Sequence, residues 1–215
     1  MEETQEAVRS QYATDQNLNA RAALHAQFST NPHGWHRWVF DHLTDLPGRA
    51  GVLELGCGPA DLWNTNRDRV PDGWALILSD LSQGMVDAAR QKLAAWQHNT
   101  PVFEVVDAQE IPYDDAAFDG VIANHMLYHV PDRHRALEEM RRVLKPQGKL
   151  YATTVGETHM RELWELVEPY EPEILERVGQ ASHGFSLENG VEQLREVFTF
   201  VERYDYPDDL EVTEV

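Results

Sequence analysis

Short apolar runs recur along the middle of the chain, separated by polar stretches with helical spacing. Five runs have the length and near-continuous hydrophobicity of buried strands, at residues 52–55, 74–78, 102–106, 118–123 and 149–154. Apolar residues at helical spacing occupy three of the intervals, at residues 62–70, 82–96 and 131–144. Residues 109–117 contain no clear helix. This alternation predicts an α/β, Rossmann-like, doubly wound fold with a mostly parallel sheet and helices on both faces.

The predicted second helix has the clearest local signals. Ser82 is a good N-cap, and Met85, Ala89 and Leu93 repeat at a spacing that places them on one face. The third predicted helix stops before Pro146, which cannot continue a helix. Both helices are therefore expected to pack one apolar stripe against the sheet.

Residues 1–47 precede the first strand and are predicted to form an N-terminal helical lid segment, with the α/β domain over residues 48–215. A helix over residues 17–28 is broken at residues 29–34, and a second helix follows. Trp35, Trp38, Val39 and His42 lie on one stripe of that second helix. The segment either covers the site as a lid or packs against the sheet edge, and both interpretations stay open.

The first strand runs directly into a glycine turn. Gly56 and Gly58 stand one residue apart, where the backbone must bend tightly or approach a ligand closely. A dinucleotide fingerprint would have a third glycine, but Asp61 occupies that position and would repel a pyrophosphate. The sequence also lacks a phosphate-binding G-x-x-x-x-G-K-[ST] loop. The turn therefore predicts a ligand without phosphates.

Polar residues gather where four predicted strands end. Glu54, Asp80, Asp107 and Asn124 each stand at or just after a strand end. Because parallel strands bind their ligands at their carboxyl ends, we expect these side chains to meet at one rim. Asp80 follows Gly56 by 24 residues, near the spacing of a carboxylate that accepts from ribose hydroxyls. The alternative is that each aspartate only caps the following helix or turn.

Composition narrows the class of partner. The net charge of −19 argues against nucleic acid or an anionic membrane as a partner. A single cysteine, Cys57, excludes an internal disulfide. The sequence lacks a signal peptide and an 18-residue apolar run, so we expect a cytoplasmic protein.

The ordered set of motifs resembles the class-I S-adenosylmethionine-dependent methyltransferases of the small-molecule, quinone-biosynthesis-like type. The matching stretches are VLELGCGP (52–59), LILSDLSQGM (76–85), VVDAQEIPY (105–113), FDGVIANHMLYHV (118–130) and RRVLKPQGKLYATT (141–154). The family's usual third glycine is replaced by Ala60. Because alanine is also small, we expect the loop to tolerate this replacement.

The resemblance implies an S-adenosylmethionine site. Its expected residues are Glu54, Gly56, Cys57, Gly58, Asp80, Leu81, Met85, Asp107, Ala108, Gln109 and Asn124. The glycine loop and Glu54 would line the methionine end, with Cys57 contributing backbone more than thiol. Asp80 would hold the ribose hydroxyls, and Leu81 and Met85 would pack on the adenine. Asp107 would accept from the adenine amino group, with the Ala108 amide near a ring nitrogen. Asn124 would sit closest to the transferring methyl group.

The implied activity is methyl transfer to a small-molecule acceptor by in-line displacement, with S-adenosylhomocysteine as product. His129 and His125 are candidate bases, and the alternative for His129 is a histidine at a helix start that packs against Tyr128 and Val130. Their spacing could also pair them on a metal, but the glutamate of H-E-x-x-H is missing, so we expect no metal site. A non-catalytic protein that binds the same ligands stays open, whereas an NAD-linked oxidoreductase is disfavoured by Asp61.

The last third of the chain matches the family more loosely. Two amphipathic helices, around residues 160–167 and 187–198, are expected to help to wall an acceptor pocket. Aromatic residues and histidines that could line it are Tyr12, Phe28, Trp35, His159, Tyr170, His183 and Phe185. Alternation over residues 198–206 predicts a sixth strand. Nine residues follow, so we hypothesise that the family's final hairpin is shortened in this chain.

Overall fold

The computed structural model describes residues 23–96, 100–170 and 184–213. The strands are β1 Arg49–Leu55, β2 Gly73–Asp80, β3 Val102–Val105, β4 Phe118–Asn124 and β5 Leu144–Thr153. The helices are α1 Trp35–Leu43, α2 Asp61–Thr65, α3 Gln83–Lys92, α4 Arg133–Val143, α5 Arg161–Val167 and α6 Gly190–Arg195. Residues 23–28 are also helical, and Leu127–His129 form a 3₁₀ turn. Within the described ranges no helix is long and apolar enough to cross a bilayer.

The five strands form one parallel sheet in the order β3-β2-β1-β4-β5. The strand order reverses between β1 and β4, and such a switch point opens a crevice at the carboxyl ends of the strands. The predicted α/β fold with a parallel sheet is therefore confirmed. β5 begins five residues earlier than predicted and pairs with β4 through a register shift between Phe118 and Gly120.

The sheet is covered on both faces. Successive residues of β1 point to opposite sides, so Val52 belongs to one apolar cluster and Leu53 to the other. The first cluster includes α1, α2 and α3, and the second includes α4. Ser82 caps α3 as predicted, because its hydroxyl accepts from the Met85 amide at 3.4 Å.

Helix α1 is part of the core. Val39, Phe40 and Leu43 are buried, and the Phe40 ring meets the Trp63 ring edge-on with centroids 6.3 Å apart. The buried stripe is therefore shifted from the predicted one, and Trp38 is only partly buried. For α1 itself, this packing supports the interpretation that the N-terminal segment packs against the sheet. The lid role of the segment and the boundary at residue 47 stay predictions.

Two predicted elements differ from the structure. The helix expected over residues 62–70 is only the five-residue α2. The predicted sixth strand is wrong within the described residues, because residues 201–209 have no regular secondary structure and pair with no strand of the sheet. Tyr204 and Tyr206 instead lay their rings against His42 and Trp38 of α1, at 4.6 and 5.2 Å. Beyond them, Ser29 and Leu210 form an isolated antiparallel bridge.

Candidate functional site

The loop after β1 is a tight turn held against neighbouring strands. Gly56 and Gly58 have φ of 70° and 52°, a region that favours glycine. A side chain at Gly56 would also be blocked, since its Cβ would lie 2.8 Å from the Met126 Cβ. The Cys57 amide donates to the Ser79 carbonyl at 2.8 Å, which ties the loop to β2. The predicted tight bend is therefore confirmed at Gly56 and Gly58, and the close approach of a ligand stays a prediction.

Ala60 and Asp61 lead from this loop into α2. Ala60 is buried in the left-handed conformation, with φ of 62°, where glycine would be unstrained. The carboxylate of Asp61 pairs with Lys92 Nζ at 2.5 Å. This ion pair compensates the charge of Asp61. Asp61 would therefore repel a pyrophosphate less strongly than its sequence position predicts.

Glu54 is a buried carboxylate beneath the loop, with 2% of its surface exposed. Its Oε2 accepts from the Trp63 indole at 2.5 Å, and its Oε1 accepts from the Asn124 amide at 3.3 Å. Burial raises the pKa of Glu54 to about 7; the two hydrogen bonds oppose this rise and the charge of Asp80 adds to it. The site thus holds a carboxylate that changes charge near neutral pH.

Asp80, at the end of β2, is engaged by backbone donors on both oxygens. Oδ2 accepts from the Gly58 amide at 3.0 Å, and Oδ1 accepts from the Ser82 amide at 2.9 Å. Burial raises the pKa of Asp80, and these hydrogen bonds oppose the rise. The N-cap of α3 is Ser82, so Asp80 does not cap the helix, but its contact with the Ser82 amide is the turn cap that the alternative interpretation predicts. Each carboxylate oxygen has a second lone pair, a capacity that matches a vicinal diol.

Asp107 follows β3 and is held by Gln109. Asp107 Oδ1 accepts from the Gln109 backbone and side-chain amides at 2.9 and 3.0 Å. Gln109 Oε1 in turn accepts from the Asp132 amide at 3.0 Å, which links this turn to the start of α4. Ala108, which stands between Asp107 and Gln109 in the sequence, is buried. Gln109 therefore bridges Asp107 and the start of α4, and its contact with a cofactor stays a prediction.

The apolar residues expected around an adenine differ in exposure. Leu81 is half-buried at the rim, whereas Met85 is only 1% exposed. Cys57 is also buried, and burial raises the pKa of its thiol. A protonated, buried thiol agrees with the expectation that Cys57 contributes backbone rather than thiol chemistry.

Asn124 and the two candidate bases follow the end of β4. His125 has a left-handed backbone, with φ of 49°, and its ring lies 4.9 Å from the Trp35 ring. His129 is half-buried at the end of the 3₁₀ turn, and its ring centroid lies 4.5 Å from that of Tyr128. Among the residues that the structure describes, no group of three or more His, Cys, Asp or Glu could hold a metal ion.

The expected acceptor-pocket residues are dispersed. Trp35 meets His125 at the rim, and His159 stacks on His25 with centroids 6.0 Å apart. Phe185 is 2% exposed within the core, and Tyr170 is 89% exposed, so their roles in an acceptor pocket stay predictions. Two further candidates, Tyr12 and His183, lie outside the described residues.

Sequence reasoning missed two polar contacts of the site. Trp63, on α2, holds Glu54, and Thr153, at the end of β5, accepts from the His125 amide at 3.2 Å. A buried indole requires a hydrogen-bond acceptor, so Trp63 near a buried carboxylate carried a usable signal. Thr153 carried none, because its partners depend on how β4 and β5 align.

Known proteins share this arrangement of elements. Residues 53–152 match a family model described as a methyltransferase domain. The chain is 32% identical over 147 residues to the ubiquinone/menaquinone biosynthesis C-methyltransferase of Vibrio cholerae, covering 68% of this chain and 56% of that protein. It is 39% identical over 111 residues to the 27-O-demethylrifamycin SV methyltransferase of Amycolatopsis mediterranei, covering 49% and 39%. The chain thus spans little more than half the length of the first of these relatives.

Solved structures give the same fold. A methyltransferase from Aquifex aeolicus superimposes with a TM-score of 0.52 at 19% identity, covering 69% of this chain and 83% of that one. The [4+2]-cyclase SpnF superimposes with a TM-score of 0.54 at 25% identity, covering 69% and 59%. The family match and the curated relatives agree with the fold: residues 53–152 of this chain form a methyltransferase domain of the class-I S-adenosylmethionine-dependent type.

Proposed function

We propose that this chain transfers the methyl group of S-adenosylmethionine to a small-molecule acceptor by in-line displacement. The observation that carries the proposal is the convergence of Glu54, Asp80 and Asn124 around the glycine loop at the switch point of the sheet. The family relationship supports the activity, and the acceptors named for the relatives are small biosynthetic molecules.

The donors and acceptors present fit this ligand. Asp80 is pinned by backbone amides in an orientation that leaves capacity for two ribose hydroxyls. Glu54, once ionised, provides a negative charge in a buried environment, where attraction for an ammonium or sulfonium group is strong. A phosphate-bearing ligand would meet these same carboxylates as repulsive groups. The site therefore favours a cationic nucleoside.

The chemistry needs little from the protein. When bound, S-adenosylmethionine offers a methyl carbon whose bond to the sulfonium sulfur breaks as an acceptor atom attacks, the electron pair leaving on sulfur. The residues of the site align the reactants and exclude water. The acceptor's proton passes to a base or to solvent, and His129 and His125 are the candidate bases.

A second candidate is a protein of this fold that binds the same ligands without transferring a methyl group. The observation in its favour is the similarity to a protein whose name describes a cyclase, which means that the fold also serves other chemistry. Binding of the ligand is common to both candidates, and turnover of an acceptor separates them.

The first test is calorimetric titration of S-adenosylhomocysteine into the full chain and its Asp80→Ala variant. We expect saturable binding, reduced about a hundredfold by the substitution, since it removes charged acceptors from two hydrogen bonds. Asp87→Ala is the matched control, because Asp87 is an exposed aspartate on α3 that pairs with Arg90 at the surface. Absence of binding by the folded wild type would overturn the proposal.

The second test addresses turnover. The protein is incubated with methyl-labelled S-adenosylmethionine and a panel of phenols, quinols and other small nucleophiles, and label in the acceptor is measured. Incorporation that Asp80→Ala abolishes and Asp87→Ala retains is the expected result. Tight binding without incorporation into any acceptor would favour the non-catalytic candidate.

A further inference from the structure

A continuous chain of hydrogen bonds crosses the floor of the site. The Thr153 hydroxyl lies 3.2 Å from Asn124 Oδ1, and Asn124 Nδ2 lies 3.3 Å from Glu54 Oε1. The Trp63 indole donates to the other oxygen of Glu54. The chain therefore connects β5, β4, β1 and α2 through side chains alone.

Strand register brings these side chains together. Asn124 and Thr153 are direct partners in the β4–β5 pairing, so their side chains lie on the same face of the sheet. In the β1–β4 pairing Glu54 is opposite Ile122, two residues before Asn124, and the period of two puts Glu54 and Asn124 on that face as well. A slip of one residue in β5 would turn Thr153 away and break the chain.

Both neighbours of Asn124 favour the same orientation of its amide. The Thr153 hydroxyl accepts from the backbone N–H of His125 at 3.2 Å and donates its single proton to Asn124 Oδ1. An ionised Glu54 can only accept, so the amide NH₂ of Asn124 faces Glu54. The reversed amide would put two oxygens 3.3 Å apart beside an ionised carboxylate.

The same residue holds the backbone of a candidate base. His125 has φ of 49°, a left-handed conformation that is strained for a non-glycine residue. Its N–H is shared between the carbonyl and hydroxyl oxygens of Thr153, at 3.1 and 3.2 Å. Thr153 thus contacts both the side-chain amide of Asn124 and the backbone of the next residue, His125.

We propose that Thr153 is a positioning residue of the cofactor site. Its hydroxyl holds the Asn124 amide in the orientation in which Asn124 donates to Glu54. That hydrogen bond favours the ionised form of Glu54, which is the form that attracts a cationic ligand. The proposal rests on the proposed function. Thr153 itself touches Asn124 and His125 and acts through them.

The experiment measures S-adenosylhomocysteine affinity by calorimetry for Thr153→Val, Thr153→Ser and Thr154→Val, with thermal melts of each. Valine keeps the shape of threonine but lacks the hydroxyl, and serine keeps the hydroxyl. Thr154→Val is the matched control, because the Thr154 hydroxyl donates to the Phe185 carbonyl at 2.6 Å and takes no part in the hydrogen bonds that link Thr153, Asn124 and Glu54. We expect affinity to fall at least tenfold in Thr153→Val and to stay within twofold of wild type in the other two.

Asn124→Asp provides a second variant that does not depend on Thr153→Val folding. An ionised aspartate cannot donate to Glu54, so we expect the same loss of affinity, and Thr153→Val should add little to it in the double mutant. Wild-type affinity in Asn124→Asp, or equal losses in Thr153→Val and Thr154→Val, would overturn the positioning role. In either case the wild type still binds, whereas a wild type that binds nothing would overturn the proposed function instead.

Discussion

The Trp63 indole N–H donates to the carboxylate of Glu54 across 2.5 Å, and both side chains are buried. The two residues are nine positions apart, on opposite sides of the glycine loop. Their hydrogen bond joins the strand before the loop to the helix after it, so the loop is closed over a charged contact. Under the proposed function, we expect the affinity of the site for a cation to depend in part on this core tryptophan.

Replacement of Trp63 by phenylalanine tests this contact. The variant loses a hydrogen bond to a buried carboxylate and part of a core side chain, so we expect destabilisation of about 2–4 kcal/mol. Affinity for S-adenosylhomocysteine should fall as well, because Glu54 loses a donor that favours its charged form. Urea denaturation and calorimetry measure the two effects.

Trp74→Phe is the control for that variant. Trp74 is also buried, and its indole donates to the Pro47 carbonyl at 2.8 Å, away from the glycine loop. We expect a comparable loss of stability with unchanged ligand affinity. If the two variants weaken ligand binding equally, the role of Trp63 is general packing rather than support of Glu54.

Glu54 should make the stability of the ligand-free protein depend on pH. Its folded pKa of about 7 lies above its ordinary value of 4.5, so between these values the folded state binds a proton that the unfolded chain has released. The free energy of unfolding therefore falls as pH rises through this window, by on the order of 3 kcal/mol. Asp80, whose pKa is also raised, contributes in the same direction.

Glu54→Gln should flatten this profile. Denaturant titrations at pH 5 and pH 8 are expected to show a smaller difference for the variant than for wild type. Parallel profiles for the two proteins would mean that Glu54 does not titrate in this window.

Ala60→Gly should stabilise the protein. Relief of the left-handed strain of about 1–2 kcal/mol exceeds the entropy that glycine adds to the unfolded chain, so we expect a net gain of about 0.5–1 kcal/mol. Ala89→Gly is the opposite control, since Ala89 is equally buried but lies within α3, where glycine costs about 1 kcal/mol. A loss of stability in Ala60→Gly would show that the buried methyl group contributes more than the strain.

Arg142→Ala should loosen the segment between β3 and β4, which has no helix. Two guanidinium nitrogens of Arg142 donate to the Tyr113 and Ile111 carbonyls at 2.7 and 2.9 Å, and the group also pairs with Glu139. We expect destabilisation of about 1–3 kcal/mol and faster amide hydrogen exchange over residues 109–117. Arg141→Ala, at the exposed neighbouring position, should change stability by less than about 0.5 kcal/mol. Similar effects of the two substitutions would mean that the hydrogen bonds of Arg142 do not hold this segment in place.

Local sequence determined the elements and the place of the site. Each strand contains a short apolar run, although β5 extends five residues before its run, and the Ser82 cap is a signal contained within a few residues. Alternation of strands and helices requires parallel pairing, and parallel pairing brings Glu54, Asp80, Asp107 and Asn124 to one edge. These conclusions depend only on neighbours along the chain and on a general rule of topology, so they could be drawn without coordinates.

Tertiary structure decided which side chains meet. Trp63 under Glu54, Lys92 on Asp61 and Thr153 beside Asn124 are contacts between residues on different elements, and each depends on strand register or helix rotation. The same holds for Tyr204 and Tyr206, whose alternation predicts a strand although their rings pack on α1. Periodicity specifies which face of an element is apolar, but long-range packing selects the partner of that face, and hydrogen bonds between distant residues follow from that choice.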